Sequence, residues 1–304
     1  MTKPYIWIPA FAVFAFLFAC GAGAARAQDE PTPSPEPAAT AQPDQLTAMD
    51  RAYDGKLHVN AAPYIWAPTL NANLQYSIPR LPRVVGGVAQ GSVSVPPVNY
   101  LPKLNSAAMV AFDGRLGAAS FLADFIYVNA TTTASTATTI TGPLGRHSIP
   151  VALNTSAHLS TAIWEVEGGF AIAHGHDADL NFMAGWRQLP VNLTLGYDAT
   201  IGKRGIIAPS GSVSANQVTT DVIFGLRGKA YFGGDHWYIP YYGDMGVGAD
   251  NQTWQVYGGV GYTFNHGQQV MALYRQLDYY GFPANAAVQK LSLGGPLLGY
   301  TFPI

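Results

Sequence analysis

Fourteen residues, Asn251 to Phe264 (NQTWQVYGGVGYTF), constrain the fold of this chain more than any other stretch. Taken in steps of two, Trp254, Val256, Gly258, Val260, Tyr262 and Phe264 share one face, and Gln255, Tyr257, Gly259, Gly261 and Thr263 share the other. Alternation with period two marks a β-strand. The apolar face begins and ends in aromatics. It suits either the core of a soluble sheet or the lipid side of a transmembrane barrel, whose strands run apolar-out and polar-in between aromatic girdles.

Composition leans toward lipid. Only 11% of the 304 residues are charged, against about 25% in an ordinary soluble domain, while the hydrophobic share is an unremarkable 48%. Net charge is -2 and no basic run is present, so the electrostatic footprint of a nucleic-acid binder is missing.

The N-terminus reads as a secretory signal, residues 1–27. Lys3 supplies the charged start, Tyr5 to Ala19 an apolar run broken by Pro9, and Ala25-Arg26-Ala27 a cleavage site. Leu17-Phe18-Ala19-Cys20 loosely resembles a lipoprotein box. The cleavage site competes with it, and its use leaves a mature chain without the single cysteine, Cys20. Residues 28–55, with Asp29 to Asp44 reading DEPTPSPEPAATAQPD, form a Pro-rich flexible linker. Nothing after it approaches the roughly 20 apolar residues of a membrane helix. A membrane-bound mature chain is therefore a barrel, residues 56–304.

Alternation predicts about ten strands: a long first strand kinked near Pro68, then 105–113, 117–129, 155–173, 178–198, 216–232, 235–248, 251–264, 267–279 and 289–303. The alternation of the fifth strand is read as slipping near Pro190, moving Val191, Leu193, Leu195 and Tyr197 to the apolar face. Short turns are expected at Asp113-Gly114, His174 to Asp177, Gly233 to Asp235 and Asn265 to Gly267. Longer segments, 78–104, 130–154, 199–215 and 280–288, mostly fall at the other end, with Thr131 to Thr141 read as an exposed loop. Outer-membrane barrels show this asymmetry of short and long connections.

The strand charges fall opposite the apolar faces: Asp124, Glu165, Glu167, Arg187, Asp221, Arg227, Lys229, Asp244 and Arg275, five acids and four bases. An Arg or Lys facing lipid costs about 2–4 kcal/mol at the midplane, so lipid selects this sorting. Near balance of sign predicts an ion-paired lumen, with Arg187 as partner of Glu165 and Glu167. A wide selective pore favours an excess of one sign.

Three places carry a family resemblance. Tyr64-Ile65-Trp66-Ala67-Pro68 fits a Y-[LI]-W motif on a first strand. Thr253 to Phe264 with Tyr274-Arg275-Gln276-Leu277-Asp278 fits a penultimate hairpin, and Gly295 to Phe302 a last strand. In these places the chain resembles the small outer-membrane β-barrels of Gram-negative bacteria, the OmpA-like, OmpW-like and opacity-type group. The resemblance implies an all-β fold: a single antiparallel transmembrane barrel of about ten strands, with eight or twelve as alternatives and no membrane helix. It also implies a monomer in outer-membrane lipid, inserted by the barrel-assembly machinery through Leu298, Tyr300, Phe302 and Ile304. Ile304 departs from the pattern, which usually ends in Phe or Trp.

Other constellations are weaker. His174, His176 and Asp177 have metal-like spacing but read as a polar turn, because a third ligand is not evident. His158 with Ser156 or Ser160, and His147 in a loop, are the only hydrolase-like groupings. Gly246-x-Gly248 and Gly258-Gly259-x-Gly261 precede no helix that could bind a phosphate. No catalytic residue, metal or cofactor is therefore expected. The expected role is structural or surface-interacting and non-enzymatic. The alternatives are a narrow porin-like channel for small solutes and, third, a lipid-modifying or proteolytic enzyme; a small solute or surface ligand is the candidate partner.

Overall fold

The computed structural model describes residues 47–78, 87–141, 148–201, 206–207, 211–282 and 288–304. The signal segment, most of the linker and His147 lie outside them. A short helix, α1 (Ala48–Ala52), precedes the strands β1 (Leu57–Trp66), β2 (Thr69–Ile78) and β3 (Gly87–Val95). A second short helix, α2 (Pro97–Tyr100), leads into β4 (Leu104–Leu116), β5 (Ala119–Thr141), β6 (Ser148–His174), β7 (Asp179–Ile201) and the two-residue β8 (Ile206–Ile207). Then follow β9 (Gly211–Phe232), β10 (Trp237–Gly248), β11 (Gln252–Thr263), β12 (Gln269–Tyr280) and β13 (Val288–Pro303).

Hydrogen-bonded neighbours run β1-β4-β5-β6-β7-β9-β10-β11-β12-β13, and β13 pairs back onto β1. The result is a closed barrel of ten antiparallel strands, a closure that removes the sheet edge. At the seam Asn60 lies opposite Pro303, Tyr64 opposite Gly299 and Trp66 opposite Leu297. Past Ala67-Pro68 the first strand continues as β2, still paired to β13 (Leu70 with Leu293), and β3 folds back on it as a hairpin. Pro68 has no N–H to give to a ladder, which accounts for the break between β1 and β2. No helix among the described residues is long and apolar enough to cross a membrane.

The apolar faces stand outward. Trp164, Trp186, Phe224, Leu226, Ile239, Met245, Val256 and Phe264 are all exposed, while their strand neighbours Glu165, Arg187, Asp221, Asp244 and Gln255 are buried inside. The ambiguous strand is thus β11, with its Trp254-to-Phe264 face outermost.

Four expectations need correction. The first short turn is at Gly117-Ala118, not Asp113-Gly114, because Gly117 takes the left-handed φ of +55° the turn requires. Gly114 stays in the wall, where a Cβ would run into the Phe121 ring. The stretch Thr131 to Thr141 is strand, paired residue by residue with β6 out to Thr141 opposite Ser148; Thr is a good strand former. The register of β7 passes Pro190 without a slip, Gln188 opposite Trp164 and Val191 opposite Thr161, and Val191 packs on the interior cluster. Residues 47–52 of the expected linker are ordered instead: Thr47 caps α1 reciprocally with Asp50, and Met49 is buried.

The wall is uneven. Strands β5, β6, β7 and β9 have 23, 27, 23 and 22 residues, whereas about 9–11 suffice to cross a bilayer. Strands β10, β11 and β12 have 12 each. The surplus lies at the end away from the short turns, where the sequence suggested long loops.

Candidate functional site in the lumen

The interior is layered along the barrel axis. At the short-turn mouth a vestibule of about 650 Å³ is lined by polar side chains, including Arg115, Asp179, Asn181, Arg227 and Lys229. Arg115 pairs with Asp179 at 2.9 Å and Arg227 with Asp113 at 3.0 Å. Lys229 donates to Gln269 Oε1 at 3.1 Å and sits over the Tyr238 ring. Helix α1 covers part of this mouth. The Ala48 N–H donates to Asp235 at 3.0 Å, and the Tyr53 hydroxyl donates to Asp179 at 2.9 Å while its ring stacks on His174. The Thr47 hydroxyl and N–H both donate to Asp50, holding its carboxyl below the usual range.

Above the vestibule lies an ion layer. Arg187, fully buried, donates through Nε to Glu165 at 2.7 Å and through its two terminal nitrogens to Asp244. Arg275 donates to Asp124 at 2.7 Å and to Gln255 Oε1 at 2.6 Å, and Tyr64 donates to the same Asp124 at 2.6 Å. Tyr242 donates to Glu167 at 2.8 Å and stacks on Tyr257 at 4.8 Å. A smaller cavity of about 100 Å³ touches this layer at Asp124, Glu165 and Arg275 and shares Arg227 and Lys229 with the vestibule.

A third layer, toward the tall end, is apolar. Trp66, Ile126, Ile163, Leu189, Leu277, Tyr279, Phe282 and Leu293 are buried in one cluster. The Arg275 guanidinium lies 4.9 Å from the centre of the Trp66 ring, joining the two layers. Sequence reasoning expected polar filling alone. Strand parity was the available signal, since Ile126, Ile163, Leu189 and Leu277 share the inward parity of Asp124, Glu165, Arg187 and Arg275 on the same strands.

Of the nine charges assigned inward, five meet directly, Asp124, Glu165, Arg187, Asp244 and Arg275, and Arg187 reaches Glu165 but not Glu167. Glu167 joins them through the Tyr242 hydroxyl, which also lies 3.4 Å from Glu165. Asp221 bonds Asn251 at 2.6 Å instead, and Arg227 and Lys229 belong to the vestibule. Asp113, Arg115 and Asp179 were missed because they flank turns. His176 bonds Asp177 and His174 stacks on Tyr53, so the two imidazoles have separate partners. His176 is drawn upward in pKa chiefly by the Asp177 hydrogen bond. His158 bonds Thr131 at 3.0 Å, with Ser156 and Ser160 at neighbouring β6 positions. Leu298, Tyr300 and Ile304 stand outward along the seam beside Phe302, and the Ile304 N–H donates to the Val59 carbonyl.

A closed ten-stranded antiparallel wall, apolar outside and charged within, defines the outer-membrane β-barrel class. No protein-family model matches the sequence, and no curated protein matches it. Among solved structures, the outer membrane protease OmpT from Escherichia coli is similar over 81% of this chain and 97% of its own, at 10% identity and TM-score 0.48. The translocator domain of the autotransporter NalP from Neisseria meningitidis shares 10% identity over 85% and 93%, at TM-score 0.33. The outer membrane protein opdK from Pseudomonas aeruginosa shares 10% over 82% and 98%, at TM-score 0.26.

Proposed function

We propose that this protein is a non-conducting, non-enzymatic outer-membrane barrel that displays an extended sheet wall for structural or surface interaction. The filled lumen supports this most directly: the Arg187 and Arg275 networks cross the bore, and the Trp66–Leu277 cluster lies behind them. Opening such a bore would strand buried charges, which is strongly unfavourable. The surplus length of β5, β6, β7 and β9 is material that spanning alone does not require. On this reading residues 1–27 are a cleaved signal, and the assembly machinery of a Gram-negative envelope recognises Leu298, Tyr300, Phe302 and Ile304.

Swelling of proteoliposomes in small sugars tests the proposal. Reconstituted protein should swell no faster than empty vesicles, and sugar-size-dependent swelling would favour the alternative of a narrow solute channel. The observation on the channel's side is the pair of cavities leading from the short-turn mouth to Glu165 and Arg275.

A further inference from the structure

The ion layer is short of positive charge. Asp124, Glu165, Glu167 and Asp244 are each less than one-tenth exposed. Asp124, Glu165 and Asp244 share two guanidiniums, those of Arg187 and Arg275, and Glu167 pairs with neither. Asp221, opposite Arg187 in the register, bonds Asn251 and adds to the excess. Arg227, the next base toward the vestibule, is held by Asp113. Among the described residues, at least two negative charges thus lack compensation in a place where unpaired charge is costly.

Two buried carboxylates keep an oxygen without a partner, Asp221 at Oδ2 and Glu167 at Oε2, and the second stands beside Glu165 and Asp244. Glu167 is 1% exposed, its Oε1 accepts from Tyr242, and its Oε2 has no hydrogen-bond partner. Glu165, Glu167 and Asp244 each place one oxygen within 4.8 Å of the others.

We infer that Glu165, Glu167 and Asp244 form a luminal site for a calcium ion. All the donors are oxygens, which suits a hard cation. Three oxygens on a triangle with sides up to 4.8 Å lie no more than about 2.8 Å from its centre. Small adjustments bring them to the Ca²⁺ range of about 2.3–2.6 Å, whereas Mg²⁺ needs about 2.0–2.1 Å in rigid octahedral geometry. Glu165 Oε2 and both oxygens of Asp244 already accept from Arg187, so Asp244 would meet the ion through its remaining lone pairs. The Glu167 oxygen and Glu165 Oε1 are open or only weakly bonded, with Gln255 and Tyr242 at 3.4 Å from the latter. A dication balances the two missing charges.

The test refolds the full mature chain in lipopolysaccharide-free detergent with Ca²⁺, with Mg²⁺ or with EGTA. Metal content is read after desalting, and thermal unfolding is followed by gel shift. The proposal expects a stoichiometric retained Ca²⁺ and a higher midpoint in Ca²⁺ than in EGTA, with Mg²⁺ no better than EGTA. Glu167→Gln, which keeps size and the Tyr242 contact, should retain no Ca²⁺ and melt at one temperature in all three. A wild-type chain that retains no Ca²⁺, or gains as much from Mg²⁺, overturns the site without any variant. Retention of Ca²⁺ by Glu167→Gln overturns the assignment, and Glu167→Asp, which keeps the charge, should retain it if the glutamine variant fails to fold. Shared protons instead of an ion would show as identical melting in Ca²⁺ and EGTA.

Discussion

Glu165 and Arg187 face each other across β6 and β7 and are joined at 2.7 Å with no more than 1% of either exposed. The same guanidinium reaches Asp244 of β10, two strands further round the wall. One side chain therefore ties three strands together through the interior.

Removing that side chain leaves two buried carboxylates without their shared partner. Arg187→Leu should lower unfolding stability by about 3–5 kcal/mol, the usual penalty for breaking a buried ion pair from one side. Arg51→Ala, at the exposed pair with Asp235, should change it by less than about 1 kcal/mol. Urea titrations of the refolded barrel in detergent compare the two.

Lipid contact on the outer face makes a second expectation. Leu226 stands outward about six residues from the Gly233 turn, near mid-bilayer at about 3.3 Å of strand rise per residue and a tilt of about 45°. Leu226→Arg should destabilise the protein in bilayers by about 2–4 kcal/mol. Unfolding from liposomes measures this, and an unchanged midpoint would argue that the face is not in lipid.

The glycines of β11 should separate by face. A Cβ at Gly259 would meet the Ala272 carbonyl oxygen at 2.1 Å and Leu273 Cα at 2.7 Å, whereas at Gly258 the nearest atom is 3.7 Å away. Backbone cannot step aside as a side chain can. Gly259→Ala should cost about 1–3 kcal/mol through overpacking and Gly258→Ala very little, as read by folded yield and melting.

Helix α1 offers a pH-dependent contact. Hydrogen bonds from Thr47 hold the Asp50 carboxyl below its usual pKa. A depressed acid stabilises the folded state above the unfolded pKa of about 3.9, and that contribution is lost as pH falls through the folded value. The protection of amides 48–53, taken relative to their intrinsic exchange rates at each pH, should therefore fall below about pH 4. Thr47→Ala should lower it at neutral pH, by an amount matching about 1 kcal/mol of lost capping.

Much of the barrel was legible because lipid enforces a simple code. Every strand that crosses must hide charge from one face, so Asp124, Glu165, Arg187 and Arg275 announced which way the wall points. Turn positions were less legible: Asp113-Gly114 and Leu116-Gly117 look alike as sequence, and only packing of Gly114 under Phe121 separates them. The apolar luminal layer was legible only in part: parity turns Ile126 and Ile163 inward with the charges, but it does not say that they meet in one cluster across the bore. Partnerships set by closure were out of reach. Arg275 meets Tyr64, 211 residues earlier in the chain, because β13 joins β1.

Single-channel recording in planar bilayers shows whether the lumen is closed. Refolded protein, confirmed as inserted by protease protection of its wall, should give no stepwise current at moderate voltage and high salt. Stable, repeated conductance steps that scale with protein added would mean an open lumen.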